Sequence, residues 1–232
     1  MTDLRFHGFL PQSFSDYRRK IAAVLFIGGC NFRCRFCYNR GLVLRPGELP
    51  TVGAGEILAK LKEREGFIDA VVITGGEPTL SAGLIPFLRT LRSQTNLLIG
   101  LDTNGTRPDV LAQVITGNLA DRLALDLKAP WEKYPAVTGR NDLTEQVKES
   151  FRLLSEAEID YEIRLTLHRA LHSEQDIYAM ARILSDLGLS RIALQTFRPW
   201  HVIDPELEKQ PAYSPAELQN FARFFPGQVE IR

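Results

Sequence analysis

Three cysteines, Cys30, Cys34 and Cys37, fall within eight residues at the spacing C-x3-C-x2-C. Thiolates are the ligands of iron–sulfur clusters, and three on one short loop can wrap three corners of a cubane. The chain has no other cysteine. A fourth iron would therefore keep an open coordination position, which a catalytic metal needs and a structural one avoids. Zinc is the competing occupant. In a structural role it wants four ligands, usually two Cys pairs or Cys with a closely spaced His. His7, His168, His172 and His201 are all distant in sequence, so zinc requires one of them to fold back. Three core cysteines are the remaining reading, and Arg33, Arg35 and Arg40 make this loop a poor core.

Further groups stand at comparable places along the chain. In Thr74-Gly75-Gly76-Glu77-Pro78, two glycines let the backbone approach a ligand closely, and Glu77 can pair with an ammonium group. Alone, such a segment is a common turn. Asp102-Thr103-Asn104-Gly105 and Asp126-Leu127-Lys128 add oxygen ligands and a cation. By themselves they read as a turn and an exposed ion pair. Arg164 is a further cation, for which a surface salt bridge is the bland alternative.

The elements that must position these residues follow from periodicity. Short aliphatic runs at Ile21–Ile27, Ala70–Thr74, Leu97–Leu101, Arg122–Leu127, Tyr161–Leu167 and Arg191–Thr196 predict six strands. Helical patterns lie between them at Ala54–Glu65, Leu84–Ser93, Pro108–Ile115, Leu143–Glu156 and Glu174–Leu187. Val147, Phe151 and Leu154 fall at i, i+4 and i+7, one apolar stripe. Ser173 with Asp176, and Ser214-Pro215-Ala216-Glu217, read as capping boxes, Thr106 and Pro108 as a helix start, and Gly188 as a helix stop. Alternating strands and helices call for a parallel sheet covered by helices. Six units in this length predict an α/β fold, a partial (β/α)6 TIM-like barrel, with an open doubly wound sheet as the alternative. In either, functional residues gather where strands end. One domain is expected over 1–232, with the Cys loop at 28–39 and a C-terminal extension from about 197 to 232.

Lys plus Arg and Asp plus Glu both number 28, which argues against a protein built for nucleic-acid backbones. No apolar run has the length to span a bilayer. The start, MTDLRFHGFL, lacks the basic and apolar regions of a secretion signal. Three clustered cysteines cannot form an extracellular disulfide framework. A cytoplasmic location is the expectation.

The cysteine spacing, with Phe36 just before the third ligand, resembles the signature of the radical S-adenosylmethionine superfamily. That resemblance implies a [4Fe–4S] cluster on Cys30, Cys34 and Cys37, with S-adenosylmethionine chelating the open iron. It implies one-electron cleavage of the sulfonium and release of a 5′-deoxyadenosyl radical that abstracts hydrogen. The motifs around Glu77, Asp102 and Lys128 resemble those of glycyl-radical-enzyme activases. By that resemblance Glu77, with Gly75 and Gly76, would receive the methionine amino group and Lys128 its carboxylate. Asp102, Thr103 and Asp126 would surround a monovalent cation. Phe36, Tyr38, Asn39, Asn104 and Arg164 would line the cofactor.

Over nearly the whole chain the sequence is similar to the activating proteins of anaerobic ribonucleoside-triphosphate reductase. Matching stretches include Cys37-Tyr38-Asn39, Leu125-Asp126-Leu127-Lys128-Ala129-Pro130 and Phe197-Arg198-Pro199. Such a protein would put a glycyl radical on a large partner and take its electron from a flavodoxin- or ferredoxin-type donor. Two departures stand out. Tyr17-Arg18-Arg19-Lys20 replaces a Pro-Gly-basic pattern, in a region that in such activases tends to face the substrate glycine loop. Arg35 replaces a small residue or Pro. The alternatives are a small-molecule enzyme similar to 7-carboxy-7-deazaguanine synthase, and a non-enzymatic electron carrier or redox sensor.

Overall fold

A computed structural model describes residues 3–232. Met1 and Thr2, the start of the expected 1–232 domain, lie outside the described residues. The chain divides into two compact units. The first comprises Met1–Asn31, Gly41–Thr103 and Arg107–Leu123; the second comprises Phe32–Arg40, Asn104–Thr106 and Ala124–Arg232. In chain order the strands are β1 (Arg5–Phe6), β2 (Gly8–Ser13), β3 (Ala22–Ile27), β4 (Val52–Gly53), β5 (Ala70–Gly75), β6 (Leu98–Thr103), β7 (Arg122–Asp126), β8 (Asp160–Leu167), β9 (Arg191–Thr196) and β10 (Gln228–Ile231). The helices are α1 (Arg40–Leu44), α2 (Ala54–Glu63), α3 (Leu84–Gln94), α4 (Pro108–Thr116), α5 (Tyr134–Thr138), α6 (Thr144–Glu156), α7 (Glu174–Asp186) and α8 (Pro215–Ala222).

In the first unit the strand order is β2-β3-β5-β6. β3 and β5 are parallel in a register that sets Ala22 beside Ala70 and Ile27 beside Gly75. The cysteine loop and the glycine turn thus leave the sheet side by side at its carboxyl end. Val24, Leu25, Val71, Val72 and Ile73 are buried, as continuous apolar runs in a covered parallel sheet should be. The apolar faces of α2 (Ile57, Leu61) and α3 (Phe87, Leu88, Leu91) are buried as well. Each such side chain contributes about 1.5–3 kcal/mol.

Periodicity does not predict β2. It pairs antiparallel with β3, carries Gly8 and Pro11, exposes Leu10, and shifts register between Leu10 and Ser13. An edge strand that tolerates proline lacks the alternation that reveals inner strands. α4 begins at Pro108, as its pattern predicts; its N-cap is Arg107, and Thr106 donates its hydroxyl to Asn104 at 2.7 Å instead of capping the helix.

Tyr17–Lys20 stands at the start of β3, where the sequence places it, at the opposite end of that strand from Cys30, about 20 Å away for six residues at about 3.3 Å each. Arg18, Arg19 and Lys20 are exposed, and Tyr17 packs. Tyr17 is buried beneath the Arg122 guanidinium, 4.9 Å from its ring centroid, and Arg122 also holds the Asp16 carbonyl at 2.7 Å.

In the second unit the order is β7-β8-β9-β10, with β8, β9 and β10 parallel. Val147, Phe151 and Leu154 form the buried stripe of α6. Both expected capping boxes form, Ser173 with Asp176 on α7 and Ser214 with Glu217 on α8. Gly188, at φ +67, follows α7 in the left-handed conformation that ends helices. The expected C-terminal extension contains one more helix and strand: α8 is followed by β10, a seventh parallel-type strand added to the six foreseen. Gln228-Val229-Glu230-Ile231 is short and half polar, so its pattern alone does not reveal it.

Candidate functional site

The first unit contributes backbone cradles and a buried carboxylate. Gly75 has φ +129, and a Cβ there would meet the Ile27 carbonyl oxygen at 2.3 Å; one on Gly76 would meet the Gly29 carbonyl oxygen at 2.0 Å. Both positions therefore require glycine. Gly76 N–H donates to Ile27 at 2.8 Å, and Glu77 N–H donates to Gly29 at 2.8 Å, which ties the glycine turn to the stretch before Cys30. His7 fixes the same stretch: its Nδ1 accepts the Gly28 N–H at 2.8 Å. Burial lowers the pKa of His7 and keeps that nitrogen available.

Glu77 is 1% exposed. Its Oε1 accepts the Thr79 N–H at 3.1 Å, the Thr79 hydroxyl at 2.5 Å and the Thr103 hydroxyl at 2.7 Å. Three donors on one oxygen keep a buried carboxylate oriented. Asp102, at the end of β6, lies 3.7 Å from the Arg122 guanidinium.

The second unit contributes charge. Lys128 Nζ lies 3.1 Å from Asp126 Oδ2, and Arg164 Nε donates to Asp126 Oδ1 at 3.0 Å. Burial alone would raise the Asp126 pKa, but the two cations hold it below the usual carboxylate range. Burial would lower the Lys128 pKa, and Asp126, followed by Cys34, drives it above the ordinary lysine value. Lys128 is thus a committed cation. The Lys128 backbone is clamped at both ends. Its N–H donates to the Tyr134 hydroxyl at 3.3 Å, and that hydroxyl lies 3.3 Å from the Asp126 carbonyl. Its carbonyl lies 2.8 Å from His172 Nε2. Since His172 Nδ1 accepts the His168 N–H at 3.2 Å, the proton sits on Nε2. Beside Lys128, the Phe36 ring centroid lies 5.6 Å from Nζ.

The sequence-predicted residues take distinct places. Cys34 is buried, and Cys30 and Cys37 are partly so; none of the three is in a disulfide. Burial raises the Cys37 pKa, opposed by the Lys128 charge and the Asn39 backbone N–H. Asn39 thus meets Cys37 through its main chain. Phe36 is buried against Lys128, whereas Tyr38 is 62% exposed. Asn104 shapes its own turn, its side-chain oxygen accepting the Thr106 N–H at 3.0 Å. Arg164 lies in the Asp126 ion pair rather than in an exposed salt bridge. Of the residues expected around a monovalent cation, Asp102 and Thr103 engage Arg122 and Glu77 within the first unit, and Asp126 engages Lys128 and Arg164 within the second. Tyr134 and His172, the clamps on Lys128, carry no signal in residue spacing.

The donor set fits an iron–sulfur cluster. The loop supplies three cysteines outside any disulfide, with the Lys128 cation stabilising negative charge at Cys34 and Cys37. The glycine turn packs directly on the Ile27–Gly29 backbone, where no Cβ fits. Among the described residues, no three His, Cys, Asp or Glu side chains converge as around a single metal ion; a cubane takes its thiolates at separate corners. His7, His168 and His172 are engaged within their own units. No helix among the described residues is long and apolar enough to cross a membrane.

Comparison with known proteins agrees. A Methanocaldococcus jannaschii protein named as a glycyl-radical enzyme activating enzyme is 30% identical over 227 residues, 96% of this chain and 92% of the relative. Among solved structures, Streptococcus suis SuiB bound to S-adenosylmethionine matches 90% of this chain with a TM-score of 0.64 at 15% identity, the chain spanning 51% of SuiB. A domain of pyruvate-formate lyase-activating enzyme from Bacteroides vulgatus matches 69% of this chain and 98% of that domain, with a TM-score of 0.53 at 23% identity. The fold is therefore the parallel-stranded α/β fold of the partial-barrel type. The model of the Radical SAM superfamily matches residues 24–181, and the chain belongs to that superfamily, whose members use a [4Fe–4S] cluster and S-adenosylmethionine.

Proposed function

We propose that this chain is a glycyl-radical-enzyme activase and that its substrate is the glycine loop of an anaerobic ribonucleotide reductase. The observation that supports the activase part of this reading is the near end-to-end match with the M. jannaschii protein that bears the name of such an enzyme; the choice of reductase rests on the sequence resemblance. Cys30, Cys34 and Cys37 would hold the cluster. Glu77, already oriented by Thr79 and Thr103, would accept hydrogen bonds from the methionine ammonium of S-adenosylmethionine. Lys128 would pair with its carboxylate, held in place by Tyr134 and His172. Gly75 and Gly76 would let the backbone approach, and Phe36 would keep water from Lys128.

The chemistry that such a cluster supplies is one electron to the sulfonium, giving methionine and, after hydrogen abstraction from a glycine Cα, 5′-deoxyadenosine and a glycyl radical. A flavodoxin- or ferredoxin-type protein would supply the electron.

The test is anaerobic incubation of the reconstituted, reduced protein with S-adenosylmethionine and an anaerobic ribonucleotide reductase deuterated at glycine. The expected outcome is a glycyl-radical resonance on the reductase and deuterium in 5′-deoxyadenosine. Nucleoside release without radical or label would overturn the activase reading in favour of a small-molecule enzyme. A cluster spectrum indifferent to S-adenosylmethionine would favour an electron carrier.

A further inference from the structure

Within the loop that bears Cys34 and Cys37, the Cys37 N–H donates to the Cys34 carbonyl at 3.0 Å. Two distant segments of the second unit hold it. On one side, Arg33 N–H donates to Thr138 at 2.8 Å and Arg35 N–H to Val137 at 3.2 Å. On the other, the Ile203 N–H donates to the Cys37 carbonyl at 3.0 Å and the Asp204 N–H to the Arg35 carbonyl at 2.9 Å. The second attachment also has a side-chain bond. Arg35 Nε and Nη2 both reach Asp204 Oδ2, at 2.8 and 2.7 Å.

Asp204 is well placed to hold. Its Oδ1 accepts the Glu206 N–H at 3.1 Å and caps the short turn Pro205–Lys209, while Oδ2 is left for Arg35. That turn is no loose tail. Val202 and Leu207 are fully buried, and the Val202 N–H donates to Glu208 at 2.8 Å. Arg35, the residue between the second and third cysteines that departs from the usual small residue or Pro, thus has a partner 169 residues away. A metal site must be held close to its productive geometry by surrounding contacts, and a bare loop does not hold itself.

We infer that Asp204 is a positioning residue for the cluster loop, clipping the Cys34–Cys37 arc through Arg35 into a ligand-ready shape. The inference rests on the cluster reading of the cysteines for its purpose. The clip is made of this chain's own side chains and can be tested in the apoprotein.

The test is iodoacetamide alkylation of the full-length apoprotein, with each cysteine followed by mass spectrometry. Asp204→Ala should speed modification of Cys34 and Cys37 about tenfold and leave Cys30 unchanged, as local opening exposes only the clipped segment. Asp142→Ala, which removes the exposed Arg140–Asp142 pair of the same unit, should change none of the three. Arg35→Gln, which removes the clip and leaves the Asp204 cap in place, should speed Cys34 and Cys37 to a similar extent, and adding Asp204→Ala to it should bring little further change. After reconstitution, the spectrum of Asp204→Ala should broaden and its iron should pass to a chelator about tenfold faster. Unchanged Cys34 and Cys37 rates in Asp204→Ala or Arg35→Gln, equal acceleration at Cys30, or fully additive effects in the double variant would each overturn the inference. A protein that shows the clip yet takes up no iron would instead sink the cluster reading.

Discussion

The ends of β5 and β7 hold a charged side chain in two different ways. After β5 the arrangement is steric and neutral. Two glycines remove bulk, and a carboxylate is steered by hydroxyls and a backbone N–H. After β7 it is ionic: a lysine and an arginine share one aspartate, and a tyrosine and a histidine hold the lysine main chain. The difference follows from what each must do. Glu77 is oriented by the Thr79 and Thr103 hydroxyls and the Thr79 N–H. Lys128 must stay charged while buried, which a nearby carboxylate enforces. The first region should therefore be sensitive to volume and the second to charge.

The largest expected effect is on the steric side. Gly76→Ala pushes a methyl group into backbone, with no flexible side chain to yield. Iron content after reconstitution should fall at least tenfold, with a stability loss of about 1–3 kcal/mol; near-normal iron would break the comparison at its first half. Next, Lys128→Met keeps the volume and removes the charge. Calorimetry should show S-adenosylmethionine binding weakened about 100-fold, with folding retained. An equal weakening by Gly76→Ala at unchanged iron content would blur the distinction.

Tyr134→Phe should cost less. It removes a hydroxyl held by the Lys128 N–H and beside the Asp126 carbonyl. The midpoint of thermal unfolding should drop by about 2–4 °C, as for a loss near 1 kcal/mol. The smallest effect is in acid. The folded pKa of Asp126 lies below its ordinary value of 3.8. Its contribution is therefore complete above about pH 4 and is lost as the pH falls through the folded value. Urea unfolding at pH 5 and pH 3 should show a smaller pH-dependent loss in Asp126→Asn than in wild type. Identical losses would show that the ion pairs contribute nothing net.

Much of this was legible in the residues. Arg191–Thr196 forms a strand with the bounds that its aliphatic run suggests, and both serine caps form where a glutamate or aspartate follows three residues on. These are local choices, made by periodicity and by hydrogen bonds within one turn. Asn104 shows the limit: its type suited a ligand or a turn, and the nearby Thr106 engages it in the turn. Tyr17 shows another, because its packing partner Arg122 lies more than a hundred residues away.

The sequence by itself determined the ligand spacing of the cysteines, the order of strands and helices, and the glycines at the end of β5. Each is fixed by covalent connectivity or by a conformation that few residue types can adopt. Tertiary structure decided the partners: Arg164 for Asp126, His172 for the Lys128 carbonyl, Asp204 for Arg35. Such pairs lie tens to more than a hundred residues apart. They depend on sheet register and on which buried polar groups must be satisfied, and no local pattern encodes either.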